Sequence, residues 1–417
     1  MSRHRHFEMG EWSPISVGQS PDDMTESEAQ KLLSLARARA RALRLPEDAI
    51  LTPSHRSLRT KQVCGLMSVG ATSLEILPKL RDSVGSDRQA LIRMLSIAHD
   101  LPIDGGETAH VEHPSRDLLD FFGRMFLRKL SDAARRGLPR SYVAHEDDLP
   151  KLRGRLDIQR QFTRHAARSD RLACRFDEFA ADIPVNRLLH ACLALLRSRL
   201  RVDDAARLIR HLSIHFEDVS IPARPLDERF TLDRSTGSVR DCVPLARLLL
   251  AAQHQNTHAG SDAGFGLMFA MNDLFEAYVA RLARRAFGQS ARVQAKERAV
   301  MTNGLFRMKP DLVLGLEDET VIVDTKWKRL EPTKKNLGVS QSDVYQMLAY
   351  SAAYSRPSPP TRLMLLFPEQ ASSTAQIYAH WEVAETGVPF QIASYDVGAP
   401  DPHGTRLRQL ITGRTHI

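Results

Sequence analysis

FRMKPDLVLGLEDETVIVDTKWKRL, from Phe306 to Leu330, is the stretch whose reading decides the fold. Two apolar runs flank Leu316-Glu317-Asp318-Glu319, which is polar and flexible enough to turn, so the pair reads as a β-hairpin. Side chains two apart on a strand share a face, so Ile322, Asp324 and Lys326 line up together, as do Asp311 and Val313. An acid inserted in VIVD is costly to bury without a counter-ion or a metal. Two carboxylates converging at paired strands supply hard oxygen ligands for Mg²⁺, while the Lys326 ammonium can orient an attacking water or offset charge developing on a phosphate. Phosphodiester hydrolysis needs that arrangement. The plainer alternative is that Asp324 and Lys326 are exposed on an edge strand and pair with neighbours, which a string this short and common also fits.

The flanks add to the hairpin. Upstream, a helix expected from about Leu267 to Ala286 carries an apolar stripe of Leu267, Met271, Leu274, Phe275, Tyr278 and Leu282, with Glu276 at its edge as a possible third carboxylate. A strand is expected over Arg292 to Val300, then strands over Arg307 to Gly315 and Thr320 to Lys328. A helix over Gln341 to Tyr354 follows, where Gln346 and Tyr350 stand at i and i+4 and project from one face. A strand over Arg362 to Phe367 and β segments near Trp381 and from Gln391 to Val397 complete the region. This is the element order of a PD-(D/E)xK nuclease core with an added QxxxY motif.

At 417 residues the chain has room for two or three domains with buried cores. Its 42% hydrophobic and 26% charged residues exclude a wholly disordered, collagen-like or mucin-like chain. A formal charge of +8 and a pI near 9.4 suit a polyanionic partner. Cys64, Cys174, Cys192 and Cys242 lie far apart with no CxxC pair, so neither a disulfide framework nor a thiolate zinc site is expected, and a reducing cytosol fits. No signal-peptide core and no membrane-length apolar run is seen, which reads as a soluble, cytoplasmic protein.

The organisation read from these patterns is α+β multidomain. Residues 1–22 lack periodicity and read as a disordered tail. Residues 23–112 form a mixed domain: Thr25 and Glu28 suggest a capping box opening a helix that ends before Pro46, and VCGLMSVG and SLEILPKL read as a hairpin. Residues 113–260 are mainly helical, with Ser115 as an N-cap and Leu118, Phe122, Met125, Phe126 and Leu130 on one face; within them LRGRLDIQRQF, Leu152 to Phe162, alternates like a strand. A second stripe of Leu188, Cys192 and Leu195 reads as packed core. Residues 261–417 hold the hairpin analysed above.

At this point the chain resembles a known family, the McrC subunits of modification-dependent (type IV) restriction systems. Besides the hairpin, ILPKL, LRGRLDIQRQ, DEFAADIPVNRLL, MNDLFEAYV, VDTKWK and SQSDVYQMLAY look like family blocks in the family's order, over about Leu58 to Gln370. The resemblance implies a C-terminal PD-(D/E)xK restriction-endonuclease-like α/β/α core that cuts DNA, with Asp311, Asp324, Lys326, Glu276, Gln346 and Tyr350 in the catalytic site. Mg²⁺, with Mn²⁺ as an alternative, would be held by Asp311, Asp324 and Glu276. It also implies an AAA+ GTPase or ATPase partner resembling McrB, which recognises modified cytosine such as 5-methylcytosine and is stimulated by the amino-terminal part of the family.

Other features are weaker. His254 and His258 could share a helical face as a metal pair but have no third ligand, so a solvated loop is the better reading. The basic runs Arg37 to Arg44 and Arg281 to Phe287 read as solvated helix faces. No GxxxxGK[ST] is present, so this chain is not expected to hydrolyse nucleotides itself. Two readings compete with an endonuclease subunit working with its partner: a stimulator of an AAA+ partner without cleavage, and a standalone nuclease. A nucleic-acid-binding helical protein without catalysis rests on charge alone.

Overall fold

In sequence order the elements are β1 (Arg5–Gly10), β2 (Pro14–Ser16), α1 (Glu26–Ala42), β3 (Leu51–Ser54), β4 (Ser57–Thr60), β5 (Val63–Val69), β6 (Thr72–Leu77) and α2 (Val84–Ala98). Then come α3 (Leu118–Arg135), β7 (Ser141–Leu149), β8 (Arg155–Leu156), α4 (Ile158–Arg164), β9 (Leu172–Ala180), α5 (Pro184–Arg199), α6 (Asp203–Ser213) and α7 (Cys242–Ala251). The chain continues with β10 (Phe265–Ala270), α8 (Met271–Phe287), β11 (Ala291–Val293), β12 (Leu312–Gly315), β13 (Thr320–Thr325), α9 (Gln341–Tyr354), β14 (Thr361–Pro368), β15 (Gln376–Glu382), β16 (Pro389–Tyr395) and α10 (Thr405–Thr412). The computed structural model describes residues 4–18, 20–80, 84–103, 117–168, 170–200, 203–253, 264–295, 305, 307–354, 359–369 and 376–413.

These elements form two units, Met1–Leu118 with Gln253–Ile417, and Leu119–Ala252. The expected separation of residues 23–112 from residues 261–417 is therefore not observed: both belong to one unit. The cause is β10. Residues 267–270 were expected to begin a helix but with Phe265 and Gly266 form a strand, antiparallel to β5 with Leu267 opposite Leu66, and the helix starts at Met271. The run FGLMFA is buried over its first four residues although β10 is the last strand of its sheet. Gly65 makes the close approach possible: its φ is +136°, and a Cβ there would stand 1.9 Å from the Leu267 carbonyl oxygen.

A second difference lies at the start of the chain. Within the expected tail, Arg5–Gly10 runs parallel to Thr72–Leu77, completing a four-stranded sheet of order β1-β6-β5-β10. The period of two is short, because Arg5 shares the face of Phe7 and Met9: Met9 is buried and Phe7 packs on a core of Met24, Leu32, Leu35, Ile50, Leu74, Ile76 and Met268. The expected capping box is present, with Glu28 N–H donating to Thr25 Oγ1 and Thr25 N–H to Glu28 Oε2. Arg5 joins it through a 2.7 Å ion pair to Glu28.

The other large sheet of this unit has the order β11-β12-β13-β14-β16-β15, antiparallel from β11 to β13, parallel from β13 through β14 to β16, and antiparallel at β15. One face, with Val313, Ile322, Leu363, Leu365 and Ile392, packs on Met347, Tyr350 and Tyr354 of α9. Tyr395, whose side chain alternates to the other face, meets Tyr278 of α8 at 6.2 Å between ring centroids. Helices thus cover both faces, and the antiparallel turn between β12 and β13 is the expected hairpin.

The second unit combines helices α3 and α5–α7 with a sheet of order β7-β9-β8. The LRGRLDIQRQF stretch is not one strand. Only Arg155–Leu156 pairs with β9, because the Asp157 carboxylate accepts from Arg160 N–H at 3.1 Å and caps α4 instead. Leu188, Cys192 and Leu195 are buried on α5 as the stripe requires, and all four cysteines are buried free thiols. Among the described residues, no helix is long and apolar enough to cross a membrane.

Glu11, the residue after β1, is only 4% exposed and accepts Trp327 Nε1–H at 3.1 and 3.0 Å through its two carboxylate oxygens. Burial pushes its carboxyl from 4.5 up to about 7, against the smaller effect of those hydrogen bonds. Between these values the native state holds a proton that the unfolded chain has lost, so this group lowers stability as pH rises. We expect the stability of the wild-type chain relative to Glu11→Gln to fall by up to about 3 kcal/mol as pH rises from about 4.5 to about 7. Urea denaturation across that range checks it; parallel pH curves for the two proteins would contradict it.

Candidate active site

The register of β12 on β13, with Val313 opposite Ile322 and Leu312 opposite Val323, brings Asp311 beside Asp324 on the face that α9 covers. Asp311 Oδ2 accepts from both the N–H and the hydroxyl of Thr325, each at 2.7 Å. Asp324 is 1% exposed. Burial first, and the charge of Asp311 second, raise its pKa to about 6, although Lys326 Nζ stands 2.6 Å from Oδ2. Asp324 Oδ2 is buried, with the Lys326 ammonium beside it.

Lys326 is held from its far side by α9. Its Nζ donates to Gln346 Oε1 at 2.9 Å, Gln346 Nε2 donates to Tyr350 Oη at 2.7 Å, and Tyr350 Oη–H donates to the Lys309 carbonyl at 3.1 Å. Burial and the neighbouring Asp324 charge raise the Tyr350 pKa, so the phenol stays protonated and keeps donating. The start of α9 is fixed on the same strand end. Ser340 N–H and Oγ–H donate to Asp343 Oδ2 at 3.1 and 2.6 Å, and Lys328 pairs with the same carboxylate. Burial raises the Asp343 pKa, but Lys328 and Ser340 outweigh it, and the net shift is downward.

Glu276 arrives from α8 and is half-buried. Desolvation and the Asp311 charge raise its pKa, which places the two carboxylates within electrostatic reach. Gln294, which the sequence reading did not single out, holds it: Nε2 donates to Glu276 Oε1 at 2.6 Å while the Gln294 N–H donates to the Asp311 carbonyl at 2.9 Å. Its φ of +48° is unusual for a residue other than glycine and marks a position held by its surroundings. Sequence periodicity cannot report such a kink, and a regular strand was expected there. Beside Glu276 opens a cleft of about 590 Å³ lined by Asp273, Arg281, Arg284, Gln294 and Lys309.

The structure thus brings Asp311, Asp324, Lys326, Gln346 and Tyr350 to one end of the hairpin, with Glu276 beside Asp311. Three carboxylates there offer hard oxygen donors, and the raised pKa values of Glu276 and Asp324, each pushed up by burial and by the Asp311 charge, fit a divalent cation. In the two basic runs Arg37, Arg41, Arg44, Arg284 and Arg285 are exposed, as expected of solvated helix faces, and Arg39 is the exception. Arg39 is 8% exposed, and Arg281 and Arg285 pair with Asp100 at 3.4 and 2.8 Å. His254, His258 and Ser115 lie outside the described residues.

A family model described as "McrBC 5-methylcytosine restriction system component" matches residues 58–368. Among solved structures, the chain is similar to one from the "refined half-complex from tetradecameric assembly of Thermococcus gammatolerans McrB AAA+ hexamers with bound McrC", at 18% identity and a TM-score of 0.71 over 98% of this chain and 100% of that one. It is also similar to a chain of the Thermococcus gammatolerans McrBC complex solved by cryo-EM, at 21% identity and a TM-score of 0.53 over 68% of this chain and 89% of that one. At these identities the structural likeness is one of fold. No curated protein matches the chain.

Because Gln294 fixes the orientation of Glu276, Gln294→Ala is expected to weaken Mn²⁺ or Mg²⁺ binding about tenfold, the usual effect of removing a residue that orients a metal ligand. Isothermal titration calorimetry of the full chain measures this. An unchanged dissociation constant would mean that Glu276 needs no holder or binds no metal.

Proposed function

The chain belongs to the family of McrBC 5-methylcytosine restriction system components, and from that premise we propose that it is the DNA endonuclease subunit of a modification-dependent restriction system, built on a PD-(D/E)xK core. The observation that carries this reading is the meeting of Asp311, Asp324 and Lys326 at one strand end, with Gln346 and Tyr350 bonded in series behind the ammonium. Bound by Asp311, Asp324 and Glu276, Mg²⁺ would supply Lewis-acid chemistry, lowering the pKa of water and offsetting phosphate charge.

The protein's own groups do the rest. Lys326, held between Asp324 and Gln346, presents its ammonium to the attacking water and to the charge growing on the phosphate. Gln346 has its Oε1 occupied by Lys326 and its amide nitrogen by Tyr350, so the lysine stem cannot swing away cheaply. Thr325 fixes Asp311 through two donors to its Oδ2.

Recognition and motion are assigned to a partner. The similar solved chain comes from an assembly of McrB AAA+ hexamers with bound McrC, and this chain carries no phosphate-cradling loop of its own. We therefore assign it an AAA+ NTPase partner that selects modified-cytosine DNA, with docking and stimulation by its amino-terminal region, in the cytoplasm. Net charge of +8 suits phosphate contacts that are salt-sensitive and indifferent to sequence.

Asp324→Ala and Lys326→Ala are expected to abolish DNA cleavage and leave stimulation of the partner NTPase nearly intact, since they remove a ligand or the water-orienting ammonium rather than a docking surface. Cleavage and NTPase rates measured on the same reconstituted complex test this. Equal loss of both activities would make the region structural. Efficient cutting of modified DNA by the isolated chain without nucleotide would point to a standalone nuclease.

A further inference from the structure

β13 ends at Thr325, so Lys326 and Trp327 stand beyond the ladder. Lys326 keeps one bond to the sheet, from its N–H to the Leu366 carbonyl at 2.9 Å. Everything polar on Trp327 is satisfied from distant parts of the chain. Its N–H donates to Asn272 Oδ1 at 3.1 Å, its carbonyl accepts from Gln62 Nε2, and its indole N–H is shared between the two oxygens of Glu11. The holders are bound to one another. Asn272 Nδ2 donates to Gln62 Oε1 at 3.0 Å, and the Gln62 carbonyl accepts Met271 N–H at 3.0 Å. Phe275 closes the set edge-on, with ring centroids 5.5 Å apart.

We propose that Glu11, Gln62 and Asn272 are positioning residues that, through Trp327, set where the Lys326 ammonium stands; this deepens the nuclease reading and rests on it. The physical argument is about two ends of one side chain. Gln346 holds the ammonium, but a lysine stem with its Cα adrift would reach that partner from many places. Trp327 supplies the fixed Cα end, because its N–H, which is part of the Lys326–Trp327 peptide, is bound by Asn272, and its carbonyl in the next peptide is bound by Gln62. Misplacement of a reacting group by about 1 Å can cost about a hundredfold in rate.

The choice of a carboxylate supports the assignment. Apolar packing of an indole that is 3% exposed would suffice to anchor a loop. A buried Glu11 instead costs stability near neutral pH, and such local costs are characteristic of functional positions. The arrangement also means that the four-stranded sheet built from the start of the chain, with Glu11 at the end of β1 and Gln62 just before β5, belongs to the catalytic apparatus.

The test uses the full chain reconstituted with its AAA+ partner, nucleotide, Mg²⁺ and modified DNA. Trp327→Phe keeps the ring packing and removes the indole donor; Glu11→Ala removes the acceptor; Glu11→Gln restores one. The expected result is a fall in kcat of about tenfold to a hundredfold for Trp327→Phe and Glu11→Ala, with KM for DNA and partner NTPase stimulation within about twofold of wild type. Glu11→Gln should recover most of the rate. Tryptophan emission of the full chain, compared with Trp327→Phe to isolate this indole, should shift in Glu11→Ala and return in Glu11→Gln. Wild-type cleavage by Trp327→Phe and Glu11→Ala, beside a dead Asp324→Ala, would overturn the positioning role and leave the nuclease reading standing. Cleavage by Asp324→Ala would overturn the nuclease reading itself. If kcat, NTPase stimulation and thermal midpoint fall together in Trp327→Phe, the contact is only a structural fastener and the proposal fails.

Discussion

Asp311 and Asp324 face each other across β12 and β13, and the rest of the site is arranged around the electrostatic cost of that pairing. Asp324 is buried beside the half-buried Asp311, and its burial first and the Asp311 charge second raise its pKa to about 6. Lys326 offsets part of it from 2.6 Å, and Thr325 stabilises Asp311 with two donors. Glu276 adds a third carboxylate to the same place rather than relieving it. A set of groups that repel one another, kept together by strand register and neighbouring donors, is a stability liability with a clear use if a cation is shared among them.

Holding that set together takes more of the chain than the hairpin. α9 is fixed at its start by Ser340, Asp343 and Lys328 and carries Gln346 and Tyr350 to the ammonium. α8 brings Glu276, and the kinked backbone at Gln294 orients it. β10 continues directly into α8, so the same segment that completes the amino-terminal sheet also delivers Glu276 and Asn272. One sheet of this unit therefore carries the acids and lysine, and the other fastens the peptide next to that lysine through Glu11 and Gln62. A change in the amino-terminal sheet therefore has a direct covalent and hydrogen-bonded route to Lys326.

Much of the site was legible in the residues because it rests on short-range periodicity. The period of two placed Asp324 and Lys326 on one face, the period of 3.6 paired Gln346 with Tyr350, and the capping pattern of Thr25 and Glu28 located α1. These signals need no information from elsewhere in the chain. They reached the element types around the hairpin, and their family blocks lie within the segment that the family model matches.

What only the tertiary structure decided follows from interactions across long sequence separations. Residues 5–10 are a strand because Thr72–Leu77 offers them a parallel edge, and six residues of mixed charge carry no such message alone. Residues 265–270 are a strand because β5, with Gly65 leaving room, competes successfully with the helical stripe that continues into α8. Asp157 ended a strand that alternation had extended, by capping a helix turn instead. Gln294 and Trp327 acquire their roles from partners 18 to 316 residues away, Glu276 for the first and Glu11 for the second. Periodicity reports which face a residue shares, whereas the partner on the other side of that face is chosen by packing, and packing exists only once the chain has closed on itself.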